Sequence, residues 1–196
     1  MRTPDDASTH PEPGREKGSG ALFGRLLTPF PLWTAALLVG LVGWAYSLRG
    51  AEADRAWLVL LVNFLYFTPL AAGLVVWPAV VLVCRGAWAA GIERPALSGI
   101  GFAPFSLAAL GGLYLGRTHW AAWMTRNDLP NAAWLNTGFL FARDAIALLV
   151  FWGLAAWFAV KWRERPRALA GWLVLTYALV FSLLAFDLAM ALDPRT

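Results

Sequence analysis

The chain has 196 residues, 59% of them hydrophobic and 14% charged, with a formal net charge of +4. That apolar share lies well above the roughly 45–50% of an ordinary soluble domain and excludes one, leaving an integral membrane protein. The basic excess does not point to nucleic acid, because the cations are scattered at the ends of apolar runs and form no clustered face.

Residues 1–30 differ in kind from the rest. Met1 to Gly20 is rich in Pro, Gly and mixed charge, so it buries too little apolar surface to offset its ordering entropy, and a disordered tail is expected. Its apolar region begins too late for a secretory signal, so the first helix is expected to stay with the protein. Five apolar stretches then approach or exceed the roughly 20 residues that cross about 30 Å of hydrocarbon. They are Pro31 to Leu48, Ala56 to Val83, Ala96 to Leu115, Asn136 to Val160 and Ala168 to Leu192. In lipid every backbone group must be satisfied within its own segment, and the runs are too continuously apolar for barrel strands. The expected fold is therefore all-α, a polytopic bundle of about five transmembrane helices over residues 31–192, with 193–196 as a short end.

Within the second stretch Pro69 and Pro78 each remove a helical hydrogen bond and invite a kink, and Pro104 is read the same way in the third. Gly112 and Gly116 form a small-xxx-small pair suited to close helix packing, a motif common by chance in such sequence. Trp33, Trp57, Trp120, Trp123, Trp134, Trp162 and Trp172 fall near helix ends, where amphipathic rings prefer to sit. Gly116 to Trp134 alternates polar and aromatic residues and is expected to lie along the outer surface, with Trp120 and Trp123 toward the membrane and His119 as an interface residue. Glu93 and Arg94, in the connection Arg85 to Pro95, read as a solvated turn.

Basic residues set the orientation. Arg2, Arg15, Lys17, Arg25, Arg85, Arg94, Lys161, Arg163, Arg165 and Arg167, ten of the sixteen, fall on the side of the amino terminus. The positive-inside rule makes that side cytoplasmic and, with five crossings, the carboxyl terminus periplasmic. The dense Lys161 to Arg167 connection is the strongest vote, and it also suits contact with anionic lipid headgroups.

One cysteine, Cys84, excludes an internal disulfide. With only His10 and His119, no histidine pair clamps a haem and no Cys/His metal site is assembled. No cofactor is expected on this chain alone, and no nucleophile, base and orienting group come together for catalysis.

The informative residues are charged ones inside apolar runs. Arg143 lies roughly 10 Å and Asp187 roughly 7–8 Å from the outer face at 1.5 Å per residue, and Asn63 in the second helix falls at a similar level. Asn136 and Arg143, seven apart, share a helical face, while Asp144 is rotated about 100° from it. A charge in a bilayer normally faces the bundle interior and finds a partner. Arg143, Asp187, Asn63 and Asn136 are thus the candidates for a proton path or a buried ion pair. Asp193, before Pro194, reads as a solvated helix end.

These residues fall in blocks with a family likeness. Arg85-Gly86-Ala87-Trp88 with Glu93-Arg94, then Trp134-Leu135-Asn136 with Phe139, Phe141 and Arg143, then Phe186-Asp187 with Met190, Leu192, Asp193 and Pro194, resemble the amino-terminal half of the ActF membrane subunit of alternative complex III. The resemblance spans roughly Asn63 to Pro194. It implies a multi-pass bacterial inner-membrane subunit of a quinol:cytochrome c oxidoreductase, with iron–sulfur and multihaem partner proteins, a quinone in the complex, and Arg143 and Asp187 as candidates for proton movement. Members are about twice this length, and their Asp-Pro is followed by His-Trp where Arg195 and Thr196 stand here. A transporter or channel module, or a structural assembly protein without a redox role, are the alternatives that the residues alone leave open.

Overall fold

The computed structural model describes residues 30–50, 52–86, 91–121 and 136–189. The expected tail, Trp88, Trp123, Trp134 and the end 193–196 lie outside the described residues. Of those described, 89% are helical and none is in a strand, as a chain that must satisfy its backbone without water requires.

Helix α1 spans Phe30–Ser47 and belongs largely to a unit of its own, residues 1–45. The remaining helices form the second unit: α2 (Ala53–Val83), α3 (Glu93–Leu97), α4 (Ala103–Leu115), α5 (Arg117–Trp120), α6 (Thr137–Val160) and α7 (Arg167–Leu184). A 3-10 turn, Ser98–Phe102, joins α3 to α4, and a π-helical turn, Ala185–Ala189, extends α7. Four segments are long and apolar enough to cross a membrane: Ala53–Val83, Glu93–Leu115, Thr137–Val160 and Arg167–Ala189. The first expected span is helical as well, and its part Thr34–Ser47 ranks with shorter apolar helices, so four of the five expected spans meet the length and composition of a crossing among the described residues.

The faces of these helices are sorted by what they touch, since both sides are apolar. On α2, Leu61, Phe64, Thr68, Ala72, Val75, Ala79 and Leu82 recur every three or four residues and are buried, while Val62, Tyr66, Leu70, Leu74 and Trp77 are exposed. On α7 the buried stripe runs Ala170, Leu173, Val180, Leu184, with Trp172, Leu175 and Leu179 outward. Large exposed apolar faces on several helices at once are far more than a soluble monomer shows. They are the lipid-facing surface of a multi-pass membrane protein.

Helix α2 is the central element, packing on α7, α4 and the 3-10 turn, while α6 packs on α7 and α4. Pro69 and Pro78 sit inside α2 without ending it, and the Pro69 carbonyl accepts a hydrogen bond from the Tyr177 hydroxyl of α7 at 3.2 Å. Near Pro104 the winding of the third span changes, as a proline invites. The third stretch breaks into α3, the 3-10 turn and α4, and Pro104 occupies the first turn of α4, where the missing N–H would be unpaired anyway. Gly99 is required at the break, because a Cβ there would meet the Ala71 carbonyl oxygen at 2.6 Å. Gly112 and Gly116 both turn toward α2, against Leu60 and Trp57, so this small-xxx-small pair does seat one helix on another.

The tryptophans are less uniform than an interfacial belt. Trp172 is exposed, whereas Trp120 is buried with its indole N–H donating to the Leu113 carbonyl at 2.9 Å. Buried Trp162 stacks edge-on against Phe158. His119 pairs with Asp54 at 2.7 Å and stacks on Trp57, tying α5 to the start of α2.

Candidate functional site

Helix α6 begins with Asn136, whose side-chain oxygen accepts from the Phe139 N–H at 3.2 Å. That is an N-cap, which satisfies one of the donors a helix start leaves open. From there the inward stripe of α6 runs Leu140, Asp144, Leu148, Phe151, Ala155 and Phe158. Asp144 therefore points into the bundle and is 0% exposed. Arg143, one residue before it, lies at the edge of that stripe, with 13% of its side chain exposed.

Asp187 lies in the π-helical turn that continues the buried face of α7, and it is buried beside Leu188. The Arg143 guanidinium bridges the two helices: its Nε donates to Asp187 Oδ2 at 2.9 Å and its Nη2 lies 2.5 Å from the same oxygen. The Phe139 ring lies beneath the guanidinium, 5.0 Å from centroid to Cζ, a cation–π contact strengthened by the dry surroundings. The Asp144 carboxyl neighbours both Asp187 and Arg143, and neither of its oxygens has a hydrogen-bond donor within reach among the described residues.

Two carboxyls and one guanidinium thus share a small volume among membrane-spanning helices. Among the described residues Arg143 is the one cation recorded beside these two carboxyls. A proton placed between Asp144 and Asp187 would give each a partner and leave the cluster neutral, the condition that a low-dielectric interior favours.

The other two candidates stand apart. Asn63 is exposed on α2, its side chain spent on the Val59 carbonyl at 2.7 Å in its own helix, because position 63 falls between the buried Leu61 and Phe64. Asn136 is exposed and serves as the cap, so sharing a helical face with Arg143 does not bring it to the cluster. Asp144 is the residue that a reading centred on Arg143 leaves out. Its signal was its length: a short carboxyl seven residues into a span has no stem with which to reach the headgroups, whereas an arginine has.

Comparison with protein-family models, with curated proteins and with solved structures gave no match. The site is therefore read from its own geometry.

At the opposite ends of the helices lies a second charged pair. Glu93, the first residue of α3, is buried and accepts two hydrogen bonds from Arg165, Nη1 to Oε1 and Nη2 to Oε2, both at 3.1 Å. The expected solvated turn is thus a fork-to-fork ion pair for Glu93 and remains exposed only for Arg94. Among the described residues no group of three or more His, Cys, Asp or Glu is placed to hold a metal ion.

Proposed function

We propose that this chain is a proton-handling membrane subunit of a quinol-oxidising respiratory complex in a bacterial inner membrane, its amino terminus cytoplasmic. The observation that carries the proposal is the burial of Asp144 and Asp187 side by side with the Arg143 guanidinium between α6 and α7. A purely structural ion pair needs one carboxylate, and the second has no structural purpose that an apolar residue would not serve at lower cost. Two adjacent carboxyls sharing one proton form a relay unit: the proton passes from one to the other with no change in net charge, and Arg143 stabilises whichever is left ionised.

The resemblance of the blocks around Arg85, Asn136 and Asp187 to the ActF subunit supports the respiratory setting. In that setting the iron–sulfur clusters and haems are carried by partner polypeptides, and quinol oxidation supplies the driving force. The Arg143 cluster lies about 10 Å inside the start of α6, so protons leave or arrive from that side, the periplasmic one by the basic-residue count.

Purification of the full chain from native membranes tests the setting: it should travel with cytochrome and iron–sulfur partners, and its recovery free of them would overturn it. In the reconstituted complex, Asp144→Asn and Asp187→Asn should lower the protons moved per electron while quinol oxidation continues. Unchanged proton stoichiometry in both variants would overturn the relay.

A further inference from the structure

The helix ends opposite the Arg143 cluster carry a different chemistry. Two cavities open there and share Arg165. One, of about 400 Å³, is lined by Glu93, Arg94, Trp162 and Arg163; the other, of about 530 Å³, by Val81, Leu82, Arg85 and Arg167. Six basic residues, with Lys161, face two acidic ones in these segments, and both acids are committed: Glu93 to Arg165 and Glu164 to Lys161 at 2.7 Å. Among the described residues no acidic side chain pairs with Arg85, Arg94, Arg163 or Arg167.

Arg165 is held in place between the cavities. Glu93 fixes its fork, and the Trp162 ring lies 4.7 Å from its Cζ. Two of its N–H groups serve Glu93, and the other three are left for an acceptor in either cavity. Arg165 and Arg85 are also the two non-glycine residues with positive φ among those described, at 50° and 56°, a conformation that L-residues rarely adopt. At Arg85 this backbone closes the end of α2, where Gly86 N–H reaches the Val81 carbonyl at 2.9 Å, a position glycine usually takes. Both strained positions bear guanidiniums that line the same cavity.

We infer that this paired cavity binds the phosphodiester headgroup of an anionic phospholipid. The acceptor it lacks is an oxyanion, and guanidiniums recognise phosphate oxygens in forked geometry. The wall of the larger cavity is apolar where the buried Val81 and Leu82 form it, and the next residue, Val83, is exposed, so an acyl chain continues from the headgroup along the outer side of α2. Basic pockets between transmembrane helices on the cytoplasmic side are suited to such headgroups, each cation contributing about 1 kcal/mol near the surface. A free phosphate offers the same oxygens without the chain.

The full chain in detergent is titrated with phosphatidylglycerol, with phosphatidylcholine of the same acyl chains, or with inorganic phosphate, and binding is read by native mass spectrometry and by the midpoint of thermal unfolding. Phosphatidylglycerol alone should bind and raise the midpoint. Arg85→Gln/Arg167→Gln should weaken its binding roughly thirtyfold, about fivefold per arginine, whereas Arg55→Gln/Arg117→Gln at the opposite ends should leave it unchanged. Should the first variant not fold, Arg94→Gln/Arg163→Gln, both at exposed positions, supplies the same comparison. An equal response to phosphatidylcholine, an equal response to inorganic phosphate, or equal losses from the two ends of the bundle would each overturn the assignment.

Discussion

Replacing Arg143 by glutamine removes the one cation recorded among the described residues beside two buried carboxyls. At 2.9 Å and an effective dielectric constant of about 20, the attraction between Arg143 and Asp187 amounts to about 6 kcal/mol before desolvation is subtracted. Removing one partner from a buried pair costs about 3–5 kcal/mol, because the other charge is stranded. For a chain of this size that corresponds to a fall of about 6–20 °C in unfolding midpoint. Equilibrium unfolding in mixed micelles, followed by fluorescence of the twelve tryptophans, measures it directly. The double variant Arg143→Gln/Asp187→Asn strands no charge and should recover part of the loss, with a coupling of about 1–3 kcal/mol. A loss below about 1 kcal/mol for the single variant, the level of a surface ion pair, would refute the reasoning that these charges are buried and mutually dependent.

Asp144→Asn keeps shape and removes the second acid, so it should cost less stability than Asp187→Asn; difference infrared spectra should show a protonated-carboxyl band in the parent chain that Asp144→Asn abolishes. Ser106 receives the Trp152 indole N–H at 2.9 Å in the buried core, and Ser106→Ala should destabilise by about 1–3 kcal/mol, with Trp152→Phe in the same chain restoring part of it. Gly99→Ala forces a methyl against the Ala71 carbonyl oxygen and should cost about 1–3 kcal/mol by overpacking, measured by the same unfolding assay. Glu93→Gln removes the charge from a two-point ion pair with Arg165 and should loosen the start of α3, seen as faster amide exchange over residues 91–97.

Composition made the helical class legible, because a chain this apolar has few alternatives, and the spans from Ala53 onward follow from run length. The inward faces were not legible. On α2 both Leu61 and Val62 are apolar, and only packing decides that the first is buried and the second meets lipid. The same degeneracy hid Asp144: with Leu and Phe all around α6, nothing in the hydrophobic pattern marks the 140, 144, 148 stripe as the interior. Charge inside an apolar run was the usable signal, and it pointed to Arg143 and Asp187. Counting depth alone also drew in Asn63, because level in the membrane says nothing of azimuth around the helix. Glu93 escaped because its partner, Arg165, is 72 residues away, and the break at α3 because Gly99 reflects a close approach of another backbone.

The wide turn at Ala185–Ala189 sets where the end of α7 presents its side chains. Insertion of a residue into an α-helix is the usual origin of such a turn, and each residue of slippage swings the following side chains through about 100°. Tightening that loop back to regular winding would carry the Asp187 carboxylate off the guanidinium and away from Asp144 in one motion. The placement of Asp187 against Arg143 is thus set by the pitch of five residues.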